Sequence, residues 1–214
     1  MEITSATQIC RMAVGHLGID VSKITSIVAP TSDEERACAL FYDICRQAVL
    51  RKAAWNFARK RATVSRDAES PPFGYTDAYN LPNDFVRILA VNSDGVESAE
   101  GTLDYSIESG QILMNADGAT AINIQYIYDN ERVVSYDPIF VELLSLVLAS
   151  RIGYWLNKDE QRVRNIIALA FDVEASARET NSQETPIKHV RRSRYTQMRY
   201  GNMTTAVNEA AEEA

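Results

Sequence analysis

Two histidines are the only side chains of the chain whose ordinary pKa suits acid–base chemistry near neutral pH, His16 and His189. His16 stands two residues before Gly18, at the end of the first expected helix, where we expect it to cap the helix C-terminus. His189 lies in a basic terminal segment that lacks the packed surroundings needed to hold a catalytic group. We therefore assign neither histidine a catalytic role.

Three cysteines are the candidate nucleophiles, Cys10, Cys38 and Cys45. Each falls among apolar neighbours on an expected helix, where buried and unreactive thiols are usual. Their odd number and the lack of C-x-x-C spacing favour neither a disulfide framework nor a thiolate zinc site. A nucleophile pair formed by Cys10 and His16 stays as the alternative.

Carboxylates are numerous, and a pair of them is the machinery of most glycoside hydrolases. The candidates stand at expected turns or on polar strand faces, where solvated side chains are the norm, and nothing selects one pair: Asp77, Asp84, Asp104 and Glu108. The sequence contains none of the motifs GxSxG, HExxH, GxxxxGK[ST] and GxGxxG. We expect no catalytic, cofactor-binding or metal-binding residue.

A basic segment with interleaved tyrosines extends from Lys188 to Arg199. Arginine forks suit either carboxylates or phosphates. Glutamates follow closely and limit the counterion release that would drive DNA binding. A segment that orders on a protein partner fits better than a DNA-contacting arm, and a solvated terminus is the third possibility. The residues expected to bind the partner are Arg191, Arg192, Arg194, Tyr195 and Tyr200.

Helical periodicity frames the first part of the chain. Thr4 or Ser5 is expected to cap a helix through Leu17, and Ser32 with Glu35 forms the S-x-x-E box that opens a second helix. The expected apolar stripe of the second helix contains Ala37, Leu40, Phe41, Ile44, Cys45, Ala48 and Val49. The opposite, charged face is expected to carry Glu34, Asp43, Arg46 and Arg51.

Two further helices are expected near the end of the chain. Asp137 and Pro138 are good first residues for a strongly apolar helix over 138–156. Glu142 and Arg151 interrupt a stretch already short for a membrane span, so we expect a buried central helix. A last helix is expected from about Asn157 to Asn181, with an apolar face of Val163, Ile166, Ile167, Ala170 and Phe171.

Residues between these helical parts have the pattern of short strands. Phe85–Val91 is a nearly continuous apolar run, and apolar residues alternate with polar ones around Tyr105 and over 122–128. Tight-turn pairs separate the runs: Asp94-Gly95, Ser109-Gly110 and Asp117-Gly118. The pattern predicts a small antiparallel β-meander.

Length and composition bound the whole chain. Its 214 residues suffice for one compact domain with an inserted lobe, and its usage of 46% hydrophobic and 24% charged residues is that of globular proteins. A net charge of −7 disfavours general nucleic-acid binding. The N-terminus has no signal-peptide pattern, which indicates a reducing cytoplasm. We predict a mainly α, α+β fold with a helical bundle (1–59 and 131–183), an inserted antiparallel β lobe (60–130) and a flexible, extended tail (184–214).

The order of several segments resembles the tail tubular protein A family, the head-to-tail adaptors of short-tailed bacteriophages. The more specific pieces are W-N-F-A-x-K-R-A at Trp55–Ala62, Y-x-L-P-x-D at Tyr79–Asp84 and D-P-x-F at Asp137–Phe140. The longer pieces are QICRMAVGHLG, EERACALFYDICRQAVLRKAAWNFARKRATV, YTDAYNLPNDFVRILAV and QYIYDNERVVSYDPIFVELLSLVLASRI. Together with the last helix they cover most of residues 7–180.

The resemblance implies a structural role in the virion. Family members form a ring, generally of twelve copies, that lies beneath the portal and continues the DNA channel to the tail nozzle. The implied partners are the portal protein, the nozzle protein and further copies of the chain, with DNA passing transiently and no membrane contact. The implied location is the head–tail junction, preceded by the host cytoplasm during assembly. The arginines and tyrosines of the tail then become portal-binding candidates.

Two alternatives to the adaptor stay open, a virion-associated peptidoglycan hydrolase and a DNA-binding accessory protein. Some family members have been proposed to be cell-wall hydrolases, but no motif here carries that activity. For ring contacts we expect the charged faces of the second and last helices to complement each other. We expect no large exposed apolar patch, and a protein that is monomeric until the portal assembles many copies.

Overall fold

A computed structural model describes residues 3–92, 104–156 and 159–183. Within them lie four α-helices and two three-stranded antiparallel sheets, which confirms the mainly α, α+β class. The described residues group into one compact unit, and the tail expected over 184–214 lies outside them. The helices are α1 (Ala6–His16), α2 (Asp33–Lys52), α3 (Pro138–Leu156) and α4 (Glu160–Gln183). The strands are β1 (Arg59–Ser65), β2 (Asp77–Asn80), β3 (Phe85–Asn92), β4 (Tyr105–Glu108), β5 (Gln111–Met114) and β6 (Ala121–Tyr128).

Local capping signals position the first two helices. Ser5 and Gln8 form a capping box at the start of α1, and Ser32 and Glu35 form the expected one at the start of α2. After α1 the chain turns at Gly18, whose φ of 72° lies in the left-handed region that favours glycine. The expected helix beginnings are therefore confirmed within one or two residues.

Helix α3 is the centre of the bundle and packs against α1, α2 and α4. By length and composition alone it would also qualify to cross a membrane, but 56% of that stretch is buried inside the fold. A Cβ added at Gly153 would lie 2.5 Å from Leu17 Cδ2, so this glycine permits close approach of α3 to the end of α1. The expectation of a buried central helix is confirmed.

The strands do not form the expected meander. Strand β6 lies between β1 and β3, and the second sheet has the order β2–β5–β4. Strand β2 lies outside the runs that were expected to form strands. The turns at Ser109-Gly110 and Asp117-Gly118 are confirmed by positive φ at all four residues, whereas Asp94-Gly95 lies outside the described residues. Pairings such as Arg59 with Ile127 join residues far apart in the chain, which is why local periodicity did not reveal them.

The pieces W-N-F-A and D-P-x-F meet in the core of the bundle. The ring of Phe140 lies 5.1 Å from that of Trp55 and 4.9 Å from those of Phe57 and Tyr136, in edge-to-face orientation toward Trp55. The Trp55 indole donates a hydrogen bond of 2.9 Å to the Val49 carbonyl at the end of α2. These motif residues therefore build the junction between α2, the start of β1 and α3.

Candidate interaction surface

The binding residues expected from the sequence belong to the tail. Arg191, Arg192, Arg194, Tyr195 and Tyr200 lie outside the described residues, so their role stays a prediction. Among the described residues, the candidate interaction surface is an exposed apolar surface on the helical bundle.

The two faces of α2 are not the ones expected. Leu40 and Ile44, assigned to the buried stripe, are 65% and 61% exposed, and Ala48 on the same face is also exposed. Arg46, assigned to the charged outer face, is only 2% exposed. The expectation that one stripe of α2 is buried is therefore wrong. The helix is rotated about its axis relative to that expectation. The expected stripe contained two apolar faces, and the helix buries only the one nearer Cys38, Cys45 and Val49.

Glu35 explains part of this rotation. Its fully buried carboxylate accepts six hydrogen bonds of 2.6–3.2 Å from the backbone and hydroxyl groups of Thr25 and Thr31 and the backbone of Ser26 and Ser32. These bonds, led by the one from the Thr25 hydroxyl, hold the pKa of Glu35 well below its usual range. Glu35 thus ties the loop before α2 to its first turn.

Arg46 anchors the other end of the same face. Its guanidinium lies 2.5 Å from Asp129 Oδ1 and 3.2 Å from Asp43 Oδ1, and it donates to the Asn130 carbonyl at 3.1 Å. The Tyr136 hydroxyl donates to the same carbonyl at 2.7 Å. A charge buried with this many partners is retained only in one orientation of the helix. Arg46 therefore turns Leu40, Ile44 and Ala48 outward.

An open groove runs between the exposed faces of α2 and α4, with α3 as its floor. Its volume is about 340 Å³. We call it the α2–α4 groove and define it by Ala48, Lys52, Val147, Ser150, Arg151, Ile167, Ala170, Phe171 and Glu174. Leu40 and Ile44 extend its apolar wall, because they precede Ala48 by eight and four residues on one helix face. Phe171 is 64% exposed, so both walls present large apolar side chains to solvent.

Charges at this groove are predominantly positive. Glu174 is 2.5 Å from Lys52 Nζ and 2.6 Å from Arg178, and Lys52 Nζ lies 5.9 Å from the centre of the Phe171 ring. Arg151 is exposed and makes no ion pair among the described residues. Two cations thus share one carboxylate while a third has no counter-charge. An apolar surface with a positive rim suits an acidic, aromatic protein segment.

The exposure of Leu40, Ile44 and Phe171 on one side of the bundle contradicts the expectation of no large exposed apolar patch. The expected apolar face of the last helix is likewise only partly buried, because Ile167 and Phe171 face the solvent while Val163, Ile166 and Ala170 do not. Exposed patches rimmed by polar groups are typical of protein interaction sites. A sequence signal was available, since α2 carries apolar residues over an arc too wide for one buried face.

The candidate catalytic groups are engaged in packing. His16 does not hydrogen-bond the end of its own helix: its Nε2 lies 3.1 Å from the Ser145 hydroxyl of α3, and burial lowers the pKa of the imidazole. Cys10, Cys38 and Cys45 are free and buried as expected. Burial raises the pKa of the Cys45 thiol to about 11.

The candidate carboxylates divide into two kinds. Asp77 is 1% exposed, so the expectation of a solvated turn residue is wrong for it. Burial would raise its pKa, but hydrogen bonds from Thr76, Ala116 and Gly118 and the charge of Arg66, whose Nε is 2.8 Å away, lower it. Asp84 is bound by Lys60 at 2.6 Å and by the Tyr126 hydroxyl at 2.9 Å. Asp104 and Glu108 are exposed as expected.

No group of three or more His, Cys, Asp or Glu side chains within residues 3–92, 104–156 and 159–183 is arranged to hold a metal ion. Comparison of the chain with models of known protein families and with curated proteins found no match. The candidate functional site among the described residues is thus the exposed apolar surface around the α2–α4 groove.

Proposed function

We propose that this chain is a structural head-to-tail adaptor of a short-tailed bacteriophage, which forms a ring between the portal and the tail nozzle. The observation that carries the proposal is the α2–α4 groove, because a ring subunit must present surfaces that a neighbour covers. The ordered resemblance of segments over most of residues 7–180 gives that surface its context.

The rest of the described structure supports a scaffold. Glu35, Arg46 and Asp77 are the buried charged residues with the densest bonding, and each joins separate segments of backbone or side chain within the fold. Such bonding rigidifies the subunit, whereas a general acid or base must be able to reach a substrate. The role assigned here is therefore the rigid presentation of contact surfaces.

The tail completes the proposed adaptor. In the proposal, Arg191, Arg192 and Arg194 bind carboxylates of the portal and Tyr195 and Tyr200 supply aromatic anchors. A segment that folds on its partner adds contact area without a larger rigid interface. The rigid bundle then makes contacts between copies, and the tail makes contacts with the portal.

The direct test uses the portal protein encoded in the same genome. Mass photometry of the purified chain alone and with portal is expected to show a monomer alone and a ring on the portal. Replacing the three arginines by alanine is expected to weaken docking and leave the thermal melt unchanged. Truncation after Gln183, where α4 ends, is expected to weaken docking further. Undiminished portal binding by the truncated chain would refute the role of the tail.

Two assays separate the adaptor from its rivals. A lytic band in zymography that is lost on replacing a single carboxylate would identify a peptidoglycan hydrolase. Duplex DNA binding at physiological salt with a steep salt dependence would identify a DNA-binding accessory protein. The adaptor proposal expects neither result.

A further inference from the structure

One aromatic side chain of the β lobe is almost entirely exposed to solvent. Phe73 is 85% exposed in the loop before β2, which we call the Phe73 loop and define as residues 69–75. Burying a phenylalanine removes about 150–250 Å² of surface from water, so leaving it exposed forfeits a large favourable contribution. An apolar surface that covers Phe73 would recover this contribution.

The Phe73 loop projects from a fixed base. Arg66 and Tyr79 form a β-bridge beneath it, the Asp67 amide donates to the Ala78 carbonyl at 2.7 Å, and Gln111 donates to the Asp67 carboxylate at 2.6 Å. Pro71 and Pro72 restrict the backbone immediately before Phe73. A stiff projection loses little conformational entropy on binding, which favours its use as an anchor.

The α2–α4 groove has the size and chemistry to receive this side chain. A dry apolar cavity of about 150 Å³ admits a benzene ring, and the groove offers about 340 Å³. Phe171 and Ile167 supply apolar contact on one wall, and Ala48 leaves space on the other. No residue of the Phe73 loop lines the groove within its own chain.

The charges beside the loop and beside the groove are complementary and indicate how the loop is oriented in the groove. Glu69, four residues before Phe73, is exposed and makes no ion pair among the described residues. Lys52 and Arg178 pair with Glu174, whereas Arg151 at the groove makes no ion pair among the described residues. An acidic residue beside the aromatic anchor thus matches a basic residue beside the groove.

We propose that the Phe73 loop of one copy docks in the α2–α4 groove of a second copy, with Phe73 beside Phe171 and Glu69 facing Arg151. The two surfaces differ, so the contact is heterologous: the copy that donates the loop keeps a free groove, and the copy that donates the groove keeps a free loop, and each can bind a further neighbour. This inference rests on the proposed adaptor function, for which it names the contact between copies.

One aromatic anchor covers far less than the ~1,200–2,000 Å² of a stable interface. The contact is therefore weak between two free copies, with a Kd of about 1 mM, and becomes stable when a template holds many copies together. A contact of this strength agrees with the expectation that the free protein is a monomer with an exposed groove.

The test is photo-crosslinking of the full-length protein with benzoylphenylalanine in place of Phe73. An isotopically labelled acceptor copy at about 1 mM distinguishes crosslinks between copies from those within one chain. We expect crosslinks between copies that map to residues 44–52 or 167–174. Crosslinks confined to one chain, crosslinks that map elsewhere, or none at all would each overturn the inference.

Acceptor variants sharpen this result. Phe171→Ser is expected to reduce the crosslink yield at least about tenfold, and the matched control Val28→Ser, at a residue 92% exposed and outside the groove, to leave it unchanged. Arg151→Glu should lower the yield, and Glu69→Arg on the crosslinking copy should restore it. Failure of that charge reversal to restore the yield would refute the proposed orientation.

The crosslinking experiment keeps the two proposals separable because it uses this chain alone, without the portal or any other proposed partner. Crosslinks at the groove in a chain that is absent from virions would leave the contact standing and refute the adaptor. Rings that form on portal with Phe73→Ser as readily as with the wild-type chain would leave the adaptor standing and refute the contact.

Discussion

The helical bundle and the β lobe treat their outer surfaces differently. In the lobe, Ile122, Ile124 and Tyr126 of β6 point into a small core, and the neighbouring strand β1 exposes polar residues such as Lys60. In the bundle, large apolar side chains face the solvent on three helices: Leu40, Ile44, Tyr154, Trp155, Ile167, Leu169 and Phe171. Among its described residues the lobe exposes only two large apolar side chains, Phe73 and Ile107, whereas the bundle exposes many more and so leaves a broader apolar surface for a partner.

Buried charge is the cause of this difference on α2. Glu35 and Arg46 occupy inward positions that an ordinary amphipathic helix gives to leucine, and apolar residues occupy the outward positions. Satisfying a buried charge outweighs the exposure of one or two apolar side chains, because an unpaired buried charge costs several kcal/mol. The orientation of α2 therefore follows from the hydrogen bonds and ion pairs of its buried charges.

The largest effect is expected from Arg46→Ala. The change leaves Asp129 without its closest cation and opens space in the core, so we expect a loss of about 3–5 kcal/mol in the free energy of unfolding. Urea denaturation followed by circular dichroism measures it. Arg36→Ala, which removes an exposed ion pair on the same helix, is the matched control and should cost at most ~1 kcal/mol. Equal costs for both variants would contradict the anchoring role of Arg46.

The next effect is expected from Glu35→Gln, whose amide group would face donors that now meet a carboxylate. Because the pKa of Glu35 is lowered in the folded state, its carboxylate contributes stability above the ordinary carboxyl pKa of about 4.3. That contribution is lost as the pH falls below this value toward the folded-state pKa. The variant should therefore be less stable at pH 7 and show a flatter decline in acid. Parallel pH profiles of the urea midpoint would refute this.

In the lobe, a smaller effect is expected from Asp77→Asn. The substitution keeps the shape and removes the charge that pairs with Arg66, so we expect a loss of about 1–2 kcal/mol. Exposed Glu108→Gln, two strands away, is the control and should stay within about 0.5 kcal/mol of wild type. A loss as large as that of Arg46→Ala would remove the contrast between bundle and lobe.

The smallest effect on stability is expected from Leu40→Ser and Phe171→Ser. Both side chains are mostly exposed in the free protein, so each variant should unfold within about 0.5 kcal/mol of the wild type. Assembly on the portal should nevertheless decrease, since the apolar wall that a neighbour covers is reduced. A melt lowered as much as that of Asp77→Asn would show that these residues serve the fold of the single chain.

Features decided within a few residues were determined by the sequence alone. Ser32 and Glu35 open α2, the Ser109-Gly110 and Asp117-Gly118 pairs form tight turns, and Asp137 and Pro138 begin α3 as expected. Such signals depend on hydrogen bonds and backbone preferences between close neighbours in the chain. They sufficed for the mainly α, α+β class and for a buried α3.

Three features depend on tertiary contacts: the strand order, the burial of Asp77 and the outward face of α2. Each depends on partners far along the chain: Asp129 for Arg46, Ala116 and Gly118 for Asp77, and β6 for β1. The sequence does show the two apolar arcs of α2, but it does not show which arc faces the core. That choice was made by the bonding of Glu35 and Arg46, because in the interior an unsatisfied charge costs more than an exposed leucine.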